Sequence, residues 1–362
     1  MLNFFSDFAV CNSVSSAADR AYDYVILTTK AGTLAVPDVI TTPQVLAPLL
    51  SSPYADRYRQ PAYVLLQNGL NVEKDLYDAI KALDKEEPKV IGCALWIGTN
   101  LRAPDVVEHN DFVSISVSPL DLLSRLWHYE GQTNACIYRP GDFTATSNTP
   151  KETEVLEGIA SILESGGSTV SIVSEIQRVK FAKNFWNVAF SSFATLTNYT
   201  LPAIFRDPPT DSIASYSPYL SPKTAQLVQE YTIPSIEAIL QELLAVGRAI
   251  GFPDAKDGLP SSIVQGTIQN TAALHVKPNS AHVPSMLLDM RNDSPIEVEV
   301  IVGEVVRMAR ARSVPVPVSY SQSPKTVHVN LSGPLQRIET LYALLLVVQN
   351  QIIRNMEEKS RL

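Results

Sequence analysis

The chain has little from which to build a covalent or metal-bound scaffold. Its three cysteines, Cys11, Cys93 and Cys136, are odd in number, widely spaced and in no C-x-x-C arrangement. They give no basis for a disulfide framework or a cysteine zinc site, and they suit a reducing compartment. The five histidines show no metal-ligand spacing with one another or with acidic residues, and H-E-x-x-H is absent. Positive charge is also short. Lys and Arg total 29 against 37 Asp and Glu, a net charge of −8, and no basic run stands out, so no nucleic-acid partner is expected. No stretch reaches the roughly 18 consecutive apolar residues of a membrane span, so no membrane partner is expected either. The start, Met1 to Val10, lacks a basic n-region and carries Asp7, which argues against a secretory signal and for a cytoplasmic location. Repeats and low-complexity segments are absent. The 15 glycines nowhere form G-x-G.

What is present is ordinary globular material. At 45% hydrophobic and 18% charged residues the chain is apolar enough to order itself. Its 362 residues suggest two domains on a prior of about 150 per domain. Strand and helix signals alternate in the first third. Tyr24 to Thr29, Ala62 to Gln67 and Val90 to Trp96 read as strands and Val72 to Leu83 as a helix, a pattern that predicts part of an open α/β sheet. Val106 to Val117 reads as a strand pair turning at His109, Asn110 and Asp111. Leu120 to Thr149 is rich in turn residues and reads as a surface insertion. Glu152 to Leu163 reads as a helix and Thr169 to Val173 as the last strand of the first domain. Beyond it the signals turn helical: Phe181 to Thr195, Thr224 to Ile250, Ser262 to Leu274, Pro295 to Arg312 and Leu335 to Met356, with a long loop over Asn198 to Pro222. The expected boundaries are 1–174 for an α/β domain with an insertion at 120–150, and 175–362 for a helical domain.

Several segments carry polar groups in patterned positions. Lys183, Asn187 and Ser191 recur at i, i+4 and i+8 on an otherwise apolar, aromatic helix. Such a stripe is either a solvated edge with Lys183 reaching water, or a cleft wall where an ammonium donates a proton and two neutral groups hold a polar ligand. Ser294, Pro295 and Glu297 fit a capping box with Pro at N1, so Glu297 either bonds the backbone of Ser294 or faces a ligand. Ser285 alone reads as a turn residue. Lys30 and Asn68 each follow an apolar strand, where open α/β sheets bind ligands; a surface charge and an Asn-Gly turn are the plainer readings. His109 reads as structural or solvent-exposed.

Taken together these segments resemble the ketopantoate reductase (2-dehydropantoate 2-reductase) family. The resemblance rests on YDYVILTTKA at Tyr22 to Ala31, LLQNGLN at Leu65 to Asn71, and VVEHNDFVSISV at Val106 to Val117. It continues through KNFWNVAFSSFATL at Lys183 to Leu196 and SMLLDMRNDSPIEVEVIVGEVVRMARARSVPVP at Ser285 to Pro317. The order and spacing of the five motifs also match. The resemblance implies a Rossmann-like domain followed by an all-helical domain like the C-terminal domain of 6-phosphogluconate dehydrogenase. It further implies an NADPH-dependent reductase of a small 2-oxo acid, placed in pantothenate biosynthesis, and it admits a homodimer. Lys183 falls on the family's general-acid lysine, and Asn187, Ser285 and Glu297 fall on substrate-binding positions. Lys30 and Asn68 fall on residues lining the nicotinamide side.

Two departures qualify these implications. Ser191 stands where the family commonly has a second substrate-binding asparagine, which opens the site to another 2-oxo acid or to contact through water. The family also begins with a strand and G-x-G-x-x-G, whose backbone cradles the cofactor pyrophosphate. Here Met1 aligns near the family's fourth strand, so the resemblance implies a Rossmann-like domain short of its first βαβ unit, with an exposed sheet edge and weakened dinucleotide binding. The alternative is a catalytically silent homologue that binds a small carboxylate or a protein partner.

Overall fold

The computed structural model describes residues 10–31, 40–96, 99–103, 106–109, 132–141, 143–210, 215–255, 258–312, 314 and 336–361. Among these residues the strands are β1 (Tyr24–Leu27), β2 (Ala62–Leu65), β3 (Val90–Trp96), β4 (Thr99–Ala103), β5 (Val106–His109), β6 (Gln132–Ile137) and β7 (Thr169–Ile172). One sheet has the order β1-β2-β3-β6-β7, and β4 pairs with β5 in a second. The β1/β2, β2/β3 and β6/β7 pairs are parallel and β3/β6 is antiparallel. Strands covered on both faces need no polar-apolar alternation, which is why Ala62–Leu65 and the start of Val90–Trp96 read as continuous apolar runs.

The helices used below are α1 (Lys74–Lys81), α2 (Pro150–Ser165), α3, α4 (Ile233–Ala249), α5 (Ile263–His275), α6 (Ser285–Arg291), α7 (Glu304–Ala311) and α8 (Gln336–Ser360). α3 is one run made of Ile176–Trp186, a π turn at Asn187–Ser191 and Ser192–Thr197. The second π turn used below, Glu299–Gly303, leads into α7; a further one, Val228–Thr232, runs into α4. α2 starts at a capping box in which Thr149 Oγ1 accepts from Glu152 N and Glu152 Oε2 accepts from Thr149 N. It covers one sheet face, where Leu156 and Ile159 pack on Val64, Ile91, Cys93, Ala135 and Ile137. The other face, with Tyr63, Leu65 and Val90, joins a core that runs on into Phe181, Phe185 and Val188 of α3 and the helices behind it. The sheet and the helical layer therefore share one apolar interior. No helix among the described residues is long and apolar enough to cross a membrane.

Two sequence expectations are corrected, the insertion and a helix start, and a third falls partly outside the described residues. Part of the segment read as a surface insertion, Gln132–Ile137, is β6, an inner strand paired with β3 and β7; residues 120–131 lie outside those described. Its polar start hides it, because Gln132 Nε2 donates to Ser171 Oγ at 3.1 Å and Thr133 and Asn134 are buried. Val106–His109 pairs with Thr99–Ala103, with His109 opposite Thr99, and the second half of the expected strand pair, residues 110–117, lies outside those described. The helix expected to open at Pro295 begins instead at Val298. Residues 294–297 are held without helical structure, in part because the Ile296 N–H donates to Gln349 Oε1 of α8 at 2.8 Å.

Candidate active site

The site forms where the carboxyl ends of β1 and β2 meet α3, α6 and the second π turn. Gln67 ties the two strand ends together, its Nε2 donating to the Thr29 carbonyl at 3.1 Å. The loop after β2 is then pinned to the helical layer, since the Leu70 N–H donates to the Val300 carbonyl at 2.9 Å. Gly69 makes that approach feasible. Its φ is +94°, and a Cβ there would lie 2.5 Å from Val300 Cβ. Asn68, the residue before it, is thereby fixed at the mouth of the sheet.

Lys183 projects from α3 toward the same point. Its Nζ donates to Asn68 Oδ1 at 2.8 Å and stands 5.7 Å from the centre of the Trp96 ring, at the end of β3. Burial pulls its ammonium down from 10.5 to about 8; Lys180, one turn earlier, adds to the pull and Glu297 opposes it. Such a group still holds its proton at neutral pH and releases it far more readily than a surface lysine.

One turn on, Asn187 and Ser191 occupy the two ends of the first π turn and both line the pocket. π turns inside α-helices are frequent at functional sites because the widened turn redirects side chains and frees a backbone carbonyl. Across the pocket lie Ser285, at the start of α6, and Glu297, immediately before the helix that begins at Val298. The Ala31 N–H is 3.4 Å from Glu297 Oε1, so this carboxyl faces the end of β1. Burial raises its proton affinity, Lys30 pulls it back and Asp289 pushes it up again. With the helix starting at Val298, the box with Ser294 does not form, and Glu297 is turned to the pocket.

All seven residues singled out in the sequence converge. Asn68, Asn187, Ser191, Ser285 and Glu297 line the pocket, Lys183 is bonded to Asn68, and Lys30 is ion-paired with Asp289 on the pocket wall. The sequence reading missed Asp289, Met286 and Ile301, which complete the lining. Asp289 had a signal, since it lies four residues after Ser285 on a helix and so shares its face. Asn184 was also missed. It is buried, and its Nδ2 donates to the Ile301 carbonyl at 2.7 Å, bridging from α3 to the second π turn. The pocket thus offers an ammonium, amide and hydroxyl groups, and two carboxyls with raised proton affinity, against the apolar Met286 and Ile301. It can hold a small polar molecule and pass one proton to it.

Residues 212–320 match the family described as ketopantoate reductase PanE/ApbA C terminal. A 2-dehydropantoate 2-reductase of Nostoc sp. is 20% identical over 254 residues, covering 70% of this chain and 61% of the relative. Over residues 212–320 the chain is similar to the C-terminal domain of the ketopantoate reductase family. It spans about 61% of the length of that relative. Among solved structures, the 2-dehydropantoate 2-reductase of Geobacter metallireducens GS-15 aligns with a TM-score of 0.57 at 17% identity, over 92% of this chain and 79% of that one. A ternary structure of D-mandelate dehydrogenase with NADH and anilino(oxo)acetate aligns with a TM-score of 0.55 at 16% identity, over 92% and 78%. These likenesses establish the ketopantoate reductase fold: a mainly parallel sheet followed by a helical region.

Proposed function

We propose that this pocket reduces the ketone of a small 2-oxo acid to a 2-hydroxy acid, with ketopantoate or a close analogue as substrate and NADPH as reductant. The observation that carries the reading is Lys183, an ammonium brought to about 8 and bonded to Asn68, which lines one pocket together with Glu297. When bound, the reduced nicotinamide supplies a hydride to the ketone carbon. Lys183 Nζ gives its proton to the oxygen on which negative charge develops, which is where a positioned cation lowers the barrier most. Asn187, Ser191 and Ser285 donate to the substrate's polar groups. Glu297 accepts from a substrate hydroxyl.

The fit to the cofactor is good at one end. Lys30 and Asn68 stand at the carboxyl ends of adjacent parallel strands, where open α/β sheets take such ligands. No G-x-G occurs in the 362 residues to cradle a pyrophosphate. A second reading of the same pocket is a silent homologue that binds a small carboxylate between the Lys183–Asn68 pair and the hydroxyl and amide groups of the lining.

Absorbance assays with NADPH and with NADH, across ketopantoate, branched and aromatic 2-oxo acids, separate the two. Cofactor oxidation with one of them, reduced about 100-fold or more in Lys183→Met, supports the reductase. Saturable binding of a 2-oxo acid by calorimetry with no turnover on either cofactor supports the silent homologue.

A further inference from the structure

The loop after β2 and the first turns of α3 meet in three rungs. Asn68 Oδ1 accepts from Lys183 Nζ at 2.8 Å, and Gln177 Oε1 accepts from the Asn71 N–H at 2.9 Å. Between them Glu73 binds Lys180 Nζ directly and accepts from Gln177 Nε2 at 2.9 Å. Gln177, Lys180 and Lys183 are spaced i, i+3, i+6 and so present one helix face to one loop.

The middle rung differs from an ordinary surface pair. Glu73, Lys180 and Gln177 are 0%, 4% and 1% exposed. Space for the carboxylate exists because residue 92 of β3 is glycine; a Cβ there would stand 2.3 Å from Glu73 Oε1. Taking both charges out of water is costly, and two apolar side chains would fill the same volume with equal or better stability. Stability alone therefore does not account for an ion pair one turn from Lys183.

We propose that Lys180, anchored by Glu73, is a positioning residue for Lys183: it locks the helix face that aims the Lys183 ammonium at Asn68 and the pocket, and it sets a second buried cation one turn from that ammonium. The groups facing Lys183 are Lys180 on its own helix, Asn68 after β2, Trp96 at the end of β3 and Glu297 ahead of Val298, with the Lys30–Asp289 pair beyond. Glu297 holds the proton on, and Lys180 pushes it off. The catalytic part of this inference rests on the reductase reading; the electrostatic part is independent of it.

The test is a pH titration of the Lys183 side chain by carbon-13 NMR on lysine-labelled protein, with the resonance assigned by its loss in Lys183→Met. The wild-type midpoint is expected at about 8. In Lys180→Met it rises by about half a pH unit or more, a roughly threefold fall in the neutral-to-charged ratio. Because that variant strands Glu73, the double variant Glu73→Gln/Lys180→Met, a neutral pair, is measured alongside and moves the same way. Lys180→Arg keeps the wild-type midpoint. An unmoved midpoint in both Met variants, with circular dichroism and thermal unfolding intact, overturns the proposal. Where turnover is present, the basic limb of kcat/KM moves with the NMR midpoint. A shifted midpoint in a protein without turnover counts against the reductase reading and leaves the role of Lys180 standing.

Discussion

In the proposed reaction a single lysine carries most of the chemistry, and its burial comes at a cost to the fold. Lys183 binds its proton more weakly folded, at about 8, than unfolded, at 10.5. The sign follows: the folded state is penalised in full below about pH 8, and the penalty fades as pH rises toward 10.5. Replacing the ammonium with an apolar chain of similar length removes the penalty. Lys183→Met is therefore expected to be more stable than wild type at pH 7, by about 1 kcal/mol, while losing turnover. Urea unfolding at pH 7 and pH 10 checks this, with the difference between the two proteins shrinking at the higher pH. At this scale the sequence was highly legible. Polar residues on an apolar helix and just past apolar strands are visible as breaks in pattern; five of the seven line the pocket and the other two, Lys183 and Lys30, bond to its lining. Lys180 and Glu73 were not legible, because each stands among residues where a charge reads as surface, and only the fold brings them together.

Among the elements, the two π turns at the pocket are features no pattern announces. A widened turn keeps the same residues within reach of the same face, so Asn187–Ser191 and Glu299–Gly303 look like continuous α-helix in sequence. Asn184 joins them by capping the Ile301 carbonyl at 2.7 Å. Asn184→Ala is expected to lose about 1–3 kcal/mol of stability, since it removes a buried hydrogen bond between α3 and the second π turn, and to weaken ligand binding by loosening one pocket wall. Denaturant unfolding together with calorimetry of the bound 2-oxo acid measures both effects. β6 was missed for a related reason. Gln132, Thr133 and Asn134 suit a loop by composition, and only pairing with β3 and β7 satisfies their backbone. The start of the helix before α7 was misplaced because Ser-Pro-x-Glu makes a good local cap, yet a tertiary bond from Ile296 to Gln349 wins.

For the whole molecule, sheet and helical layer share one interior, so acid should act on both together. His275 is fully buried, its Nδ1 2.9 Å from Ser280 Oγ, and its ring lies 6.0 Å from that of His282. Burial pulls the two rings down to about 3 and about 4. Unfolded, each takes up a proton near 6.5; folded, each resists it. Stability present above about pH 6.5 is therefore lost as pH falls toward 4, by at most roughly 1.4 kcal/mol per pH unit for each ring. Urea midpoints should fall over that window, and His275→Gln should flatten the fall. The overall architecture was legible from the alternation of strand and helix signals followed by helices alone. The antiparallel β3/β6 turn of the sheet was not, since direction leaves no mark on composition.

The pairing of Trp96 with Gln132 has one more consequence. Those two residues close the β3/β6 ladder at a single end, so the chain between them leaves the sheet and re-enters it at the same doorway, beside Trp96 and Lys183. Topologically residues 97–131 are a cassette: their length enters the ladder only as a slowly growing loop-closure entropy, and exchanging them leaves every rung in register. A change of length between those two residues is thus absorbed outside the rungs that carry Trp96 toward Lys183.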